Sequence, residues 1–417
     1  IELQECNGSS AQRFALDGDA ILVGSQANGE RVNRQWVLEP QRDFTSDGTP
    51  LVVGTRELSD AEYFFFEPTS GGVRPTSGFV RVVNEAGLDQ ALEHAGWGTV
   101  IEVGSERGPV EVHEKERVLK EGVTLRGTRI RRDEGAQIHY VTAPARDRNQ
   151  TFLQVRNATR ITGLRLIGPS LRTKKEQGLV RAIGAYTRDD VIVDRNELSA
   201  WTHVAVEISG DDGSAYEEWA DCGIPESRPR AARVRVVKSS IHENQMWGFG
   251  YGVVVGAGGF TLVQGNVTYS NRHTIAASGN PHDGYVAADN FVLSKTPDWE
   301  EDHGIQSDFD MHGSGYPVPG GTAPTNPKGH EGGRGGDYVE LLSNTFLQTG
   351  GSNFYNRGLA CRVQEIRGNV ARRKRATGSE FTEKASGGAF GCSQGTGQFV
   401  GLEDNRYSVD DPTLSTA

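Results

Sequence analysis

An all-β solenoid is the fold class this sequence predicts, and three observations predict it. A turn made of a small or polar residue, Asn and an apolar residue keeps returning along the chain. Most returns follow a short β-rich run. Glycine is abundant, at 54 of 417 residues, and methionine nearly absent, at 2. The turns read Arg195-Asn196-Glu197-Leu198, Ser239-Ser240-Ile241, Gly265-Asn266-Val267, Asp289-Asn290-Phe291, Ser343-Asn344-Thr345-Phe346, Gly368-Asn369-Val370 and Asp404-Asn405-Arg406. Taken at Asn196, Ser240 and the later Asn positions, the steps are 44, 26, 24, 54, 25 and 36 residues. Three are near-equal, and the longer ones fit a coil plus a loop. A fixed period of this size means stacked units that share one continuous core. Asn suits the bend because it tolerates the left-handed region and can bond its own backbone, and Asn stacked at one corner can build an amide ladder.

The composition narrows the function classes. The net charge of −11 argues against a nucleic-acid partner, which needs a basic surface. No apolar stretch approaches the ~20 residues of a membrane span. The four cysteines, Cys6, Cys222, Cys361 and Cys392, form no zinc spacing. Cys361 and Cys392 fall on neighbouring coils, so a disulfide between them is an expectation that fits a secreted, extracellular protein. A monomer is expected.

Residues 1–76 differ from the rest and are expected to form a small β module. The run Cys6-Asn7-Gly8 followed by Gln12-Arg13-Phe14 resembles the end of a ricin-type β-trefoil repeat, and Arg34-Gln35-Trp36-Val37-Leu38 and Tyr63-Phe64-Phe65-Phe66 suit later hairpins. The resemblance implies sugar binding. Residues 77–417 open with Leu88, Ala91, Leu92 and Ala95 on one helical face, then the strand Thr99-Val100-Ile101-Glu102-Val103, then Gly122-Val123-Thr124-Leu125-Arg126-Gly127. This order is similar to the opening of pectate-lyase-like proteins. The resemblance implies a right-handed parallel β-helix whose N-terminal helix covers the first coil and protects an edge that could pair with other chains. Two polar excursions, 211–230 and the Gly/Pro-rich 313–336, are long enough to wall a groove.

Chemistry gathers between residues 271 and 340. Asp308, Asp310 and His312 alternate with Phe309 and Met311, so in a strand the three polar side chains share one face and the two apolar ones enter the core. His203 and His273 each lie seven residues after a corner Asn, which predicts a row of histidines joined by His303. Neighbouring coils would bring Arg272, His273, Asp308, Asp310 and His312 together, with His282 and Asp283 at the far end of a strand. Trp247, Tyr316, Asp337 and Arg357 are expected to contact substrate, and Trp201, Trp299 and Tyr251 are further candidates for stacking on sugar rings.

A polysaccharide substrate fits, and several chemistries compete. Asp308 and Asp310 could bind Ca²⁺, which takes carboxylate oxygens and would acidify a uronate C5 proton for removal by His273 or Arg272. This is the β-elimination of the lyases the fold resembles. Two of Asp283, Asp308 and Asp310 could instead serve an inverting glycosidase, which wants carboxyls about 6.5–9.5 Å apart. Asn280-Pro281-His282-Asp283 resembles the Asp-Pro-His-Asp motif of mannuronan C5-epimerases, which implies catalytic roles for His282 and Asp283, with Asn280 departing from the pattern. A transition-metal site on His273, Asp308, Asp310 and His312 is a further option. A non-catalytic carbohydrate-binding or adhesive protein would tolerate loss of Asp308 and Asp310, whereas an enzyme would lose turnover.

Overall fold

The computed structural model describes residues 78–104, 107–127, 135–142, 149–169, 178–186, 190–210, 234–246, 248–293, 307–314, 334–347, 352–358, 360, 363–373, 381–383 and 404–409, together with four strands nearer the N-terminus. The chain divides into two compact units, Ile1–Arg74 and Pro75–Ala417. In the first, the strands Phe14–Asp17, Ala20–Val23, Trp36–Pro40 and Leu51–Thr55 form an antiparallel sheet in chain order. The Cys-Asn-Gly run and the Tyr63–Phe66 segment lie outside the described residues, as do all four cysteines.

The second unit is a right-handed parallel β-helix. Its described strands form three all-parallel sheets of ten, ten and nine strands, called here sheets I, II and III in the order a coil visits them. One coil runs Phe260–Gln264 in sheet I, Val267–Tyr269 in sheet II and His273–Ala277 in sheet III, and the next begins at Gly284–Ala288 in sheet I. The interior is a stack of in-pointing Val, Ile, Leu and Phe. In sheet I, Val236, Val263, Ala287 and Leu341 lie in register, and none is more than 0% exposed. Each Val or Leu among them contributes about 1.5–3 kcal/mol by leaving water.

The corner between sheets I and II carries the amide ladder. Asn196, Ser239, Asn266, Asn290, Asn344, Asn369 and Asn405 are buried one above another. The side-chain oxygen of each accepts from a backbone N–H of the preceding coil, from Leu164 N through Asn369 N, at 2.8–3.1 Å. Each Asn amide also donates to a backbone carbonyl one coil back, as Asn344 does to Ala287 O at 2.8 Å. Two expectations are corrected here. The left-handed residue is the one before the ladder residue: Arg195, Lys238, Asp289 and Ser343, which precede Asn196, Ser239, Asn290 and Asn344, have φ of 50–56°. The Asn therefore serves neighbouring coils, because its short amide spans the spacing between strands. The ladder member in the second turn is Ser239, not Ser240, since Ser240 pairs with Glu197 and so Ser239 stands opposite Asn196.

The helix predicted around Leu88–Ala95 spans Glu85–His94 and is capped by Asn84, whose side chain accepts from Gly87 N at 2.8 Å. Leu88, Ala91 and Leu92 face the first coil. Arg117, 1% exposed at its side chain, donates to Glu85 and Asp89 of the helix at 2.6 Å each.

Candidate functional site

The strand Ser307–Met311 lies in sheet III, and its alternation is as the sequence predicts. Phe309 and Met311 are in the core at 0% exposure, while Asp308 and Asp310 point to the other face. That face is not open at the carboxylates, because Asp308 and Asp310 are also 0% exposed. Asp310 is the hub of a cluster drawn from four coils. Arg357, just beyond the next strand Ser352–Asn356, grips it through Nε to Oδ1 at 3.1 Å and Nη2 to Oδ2 at 2.7 Å. His312 places Nε2 2.9 Å from Oδ2, and His273, one coil earlier, places Nε2 at 3.8 Å. One coil earlier again, the Tyr251 ring lies parallel to His273 with centroids 5.7 Å apart, and its hydroxyl accepts from Arg272 Nη1 at 2.6 Å.

Burial raises the Asp310 carboxyl, but the hydrogen bond from His312 and the charges of His273, His312 and Arg357 outweigh it, leaving the group below its ordinary value. Tyr251 moves the other way: burial lifts its phenol above the usual range despite Arg272. Asp310 is therefore an ion and Tyr251 a protonated phenol at neutral pH. The members nearest solvent are Tyr251, Arg272, His312 and Arg357, with the carboxylates beneath them.

A second group sits where sheet III turns towards sheet I. His282, at φ 66°, places Nδ1 3.1 Å from Asp337 Oδ2, and buried Arg334 pairs with the other oxygen of Asp337. Asp283 accepts from Gly258 N at 2.7 Å and Asn280 N at 2.9 Å. Its carboxyl is 0% exposed, and burial, with Asp337 nearby, pushes it well up against the pull of those amides. Asp283 thus holds two turns together and faces no groove. Gly279, at φ 76°, lets the two groups meet: a Cβ there would stand 1.8 Å from His312 O.

Of the predicted site residues, Arg272, His273, Asp310, His312 and Arg357 come together, Asp308 is buried beside them, and His282 and Asp337 form the corner pair. Trp247, Tyr316, His303 and Trp299 lie outside the described residues. Trp201 is core, 1% exposed, and donates to Leu166 O. The histidine row is interrupted, because Tyr251 stands between His203 and His273, with centroids 6.2 and 5.7 Å away. Counting seven from the corner misses Tyr251, since its coil carries extra residues between Asn244 and Tyr251. Arg334 was missed as well; its signal was an Arg three residues before Asp337.

No protein-family model matches the chain, and no curated protein matches it. Among solved structures it is similar to an alginate lyase from Paenibacillus sp. str. FPU-7, with TM-score 0.46 and 12% identity over 79% of this chain and 95% of that one. It is also similar to the tailspike gp49 of Acinetobacter baumannii bacteriophage Fri1, a capsular polysaccharide depolymerase, with TM-score 0.36 and 9% identity over 82% of this chain. The Dettilon tailspike gives TM-score 0.23 and 11% identity over 79%. The chain spans 58% and 65% of the two tailspikes.

The donor set does not fit the expected cation. Both Asp310 oxygens are engaged by Arg357 and His312, so a Ca²⁺ or transition ion would have to displace a guanidinium and an imidazole. Among the described residues no group of three or more His, Cys, Asp or Glu is arranged to hold a metal.

Proposed function

We propose that the chain is a secreted, polysaccharide-degrading enzyme that cleaves an acidic glycan by β-elimination on the outer face of sheet III. The observation that carries this reading is the layering of the site: two guanidiniums, an imidazole and a phenol lie nearest solvent, over a buried carboxylate that fixes Arg357 and His312, while Arg272 donates to the phenol. Arg357 and Arg272 suit the uronate carboxylate, whose charge must be offset before the C5 proton can leave. His312, oriented by Asp310 through Nε2, is the base that takes that proton. The electron pair forms the C4–C5 double bond, the C4–O bond breaks, and the Tyr251 hydroxyl protonates the departing oxygen. Asp310 is a positioning residue. Hydrolysis by an aspartate pair is the weaker reading, because Asp283, Asp308 and Asp310 are all buried and Asp310 is ion-paired.

The test is a panel of acidic and neutral polysaccharides, alginate included, followed by ultraviolet absorbance of unsaturated uronate alongside new reducing ends. Both signals should rise together on a uronate polymer. Asp310→Asn should lower kcat at least about 100-fold, the scale of a misplaced general base. Reducing ends without absorbance would replace elimination with hydrolysis. Exchange of C5 hydrogen for deuterium without chain scission would replace it with epimerisation. Binding without any reaction, equal in the variant, would leave a carbohydrate-binding protein.

A further inference from the structure

The outer face of sheet III is continuous well beyond the cluster at Asp310. Strand register sets Gly184, Glu207, Val254, Ala276, Asp310 and Tyr355 side by side in one row along the solenoid. Gly184 and Asp310 are four strands apart, or about 19 Å at the usual strand spacing. Between them stand Glu207, Val254 and Ala276, and the last two carry short side chains. At Gly184 the floor changes character. A Cβ there would stand 2.8 Å from Cε2, Cζ and the hydroxyl of Tyr186, so the Tyr186 ring leans back along its strand with its tip over a position only glycine leaves open.

That ring is held in place. The Tyr186 hydroxyl donates to Glu207 Oε2 at 2.8 Å and lies 3.2 Å from Thr151 Oγ1, and Arg181 pairs with the same Glu207. The residue is only partly buried. A hydroxyl anchored at the edge and a ring laid along the sheet present a fixed apolar face, the arrangement that receives the C–H face of a pyranose. Its row leads straight to Asp310, and each coil advances that row by about the length of a sugar unit.

Resting on the proposed function, the geometry points to Tyr186, laid over Gly184, as a remote sugar-binding platform of the same groove. It stacks on a pyranose of the polymer several units from the bond that is cleaved. The enzyme therefore gains affinity from long chains that short oligosaccharides cannot supply.

The experiment uses the whole chain, with polysaccharide-affinity electrophoresis against alginate, polygalacturonate and hyaluronan, and turnover on graded oligomers of whichever polymer retards the protein. Tyr186→Ala should weaken retardation by about tenfold, the scale of one lost aromatic stack. It should raise KM on long substrates alone, with kcat and the short-oligomer kcat/KM unchanged. Tyr186→Phe keeps the ring and should retain most of the affinity, and Gly184→Val, which dislodges the ring, should behave like Tyr186→Ala. If the wild type binds and turns over a polymer while Tyr186→Ala matches it at every chain length, the platform is overturned and the function stands. A uniform loss across all lengths would make Tyr186 merely structural. A wild type retarded by none of the polymers would overturn the platform together with the reading it rests on.

Discussion

His203 shows how one residue's surroundings write a pH dependence into the fold. Its ring packs edge-on against Phe249 and Tyr251, and burial, followed by the charge of Arg181, pushes its pKa from 6.5 down to about 3. The imidazole is neutral when folded, whereas the unfolded chain takes up a proton below pH 6.5. The stability this neutral ring supports is therefore complete above pH 6.5 and drains away as pH falls towards 3. Between pH 7 and pH 5 the loss is about 2 kcal/mol. Urea unfolding at the two pH values should show that difference in the wild type and lose it in His203→Phe; an unchanged difference would mean that other groups carry the acid sensitivity. Asp310 adds a separate acid limb, because its carboxyl is held below its ordinary value and its ion pairs fail only as pH falls through the carboxylate range.

At the scale of an element, the amide ladder does what strand pairing cannot. The corner between sheets I and II bends the chain through left-handed residues, leaving backbone donors and acceptors that no strand satisfies. Asn344 accepts from Asn290 N at 3.0 Å and donates to Ala287 O at 2.8 Å, within an unbroken chain of side-chain amides. Asn344→Leu matches the volume but strands two buried backbone groups. It should cost about 3 kcal/mol, read as a lower urea midpoint. Asn405→Leu, at the last rung among the described residues and 8% exposed, should cost less, because water reaches that side chain. Equal costs at both rungs would show that volume, not hydrogen bonding, sets the corner.

The whole β-helix is a stack in which each coil covers the last, so the first coil needs a lid. The helix Glu85–His94 supplies it with Leu88, Ala91 and Leu92, and fastens it by Glu85 and Asp89 on buried Arg117. Replacing Leu88 and Leu92 by Ser removes the apolar contact and leaves the end of the core wet. The expected result is self-association, seen by light scattering, since an uncovered sheet end pairs with its copies. A monodisperse variant of wild-type stability would show that the coil closes itself. The same stacking explains the site: Tyr251, His273 and Asp310 stand on successive strands of one sheet, and Arg357 directly follows the next.

Much of this was written locally. The recurrence of Asn at 196, 266, 290, 344, 369 and 405 gave the coil, its corner and its ladder, because turn chemistry and a short amide are properties of a few residues. Strict alternation from 308 to 312 separated core from site, because a strand's period is two whatever surrounds it. Tertiary structure decided the rest. It put Tyr251 between the two histidines, because register across coils depends on the extra residues between them. It joined Arg357 to Asp310 across 47 positions and turned a supposed open carboxylate into a buried, ion-paired one. It also committed Asp283 to two backbone amides. Burial and charge pairing are set by neighbours far away in sequence, and the stacking of coils alone decides which those neighbours are.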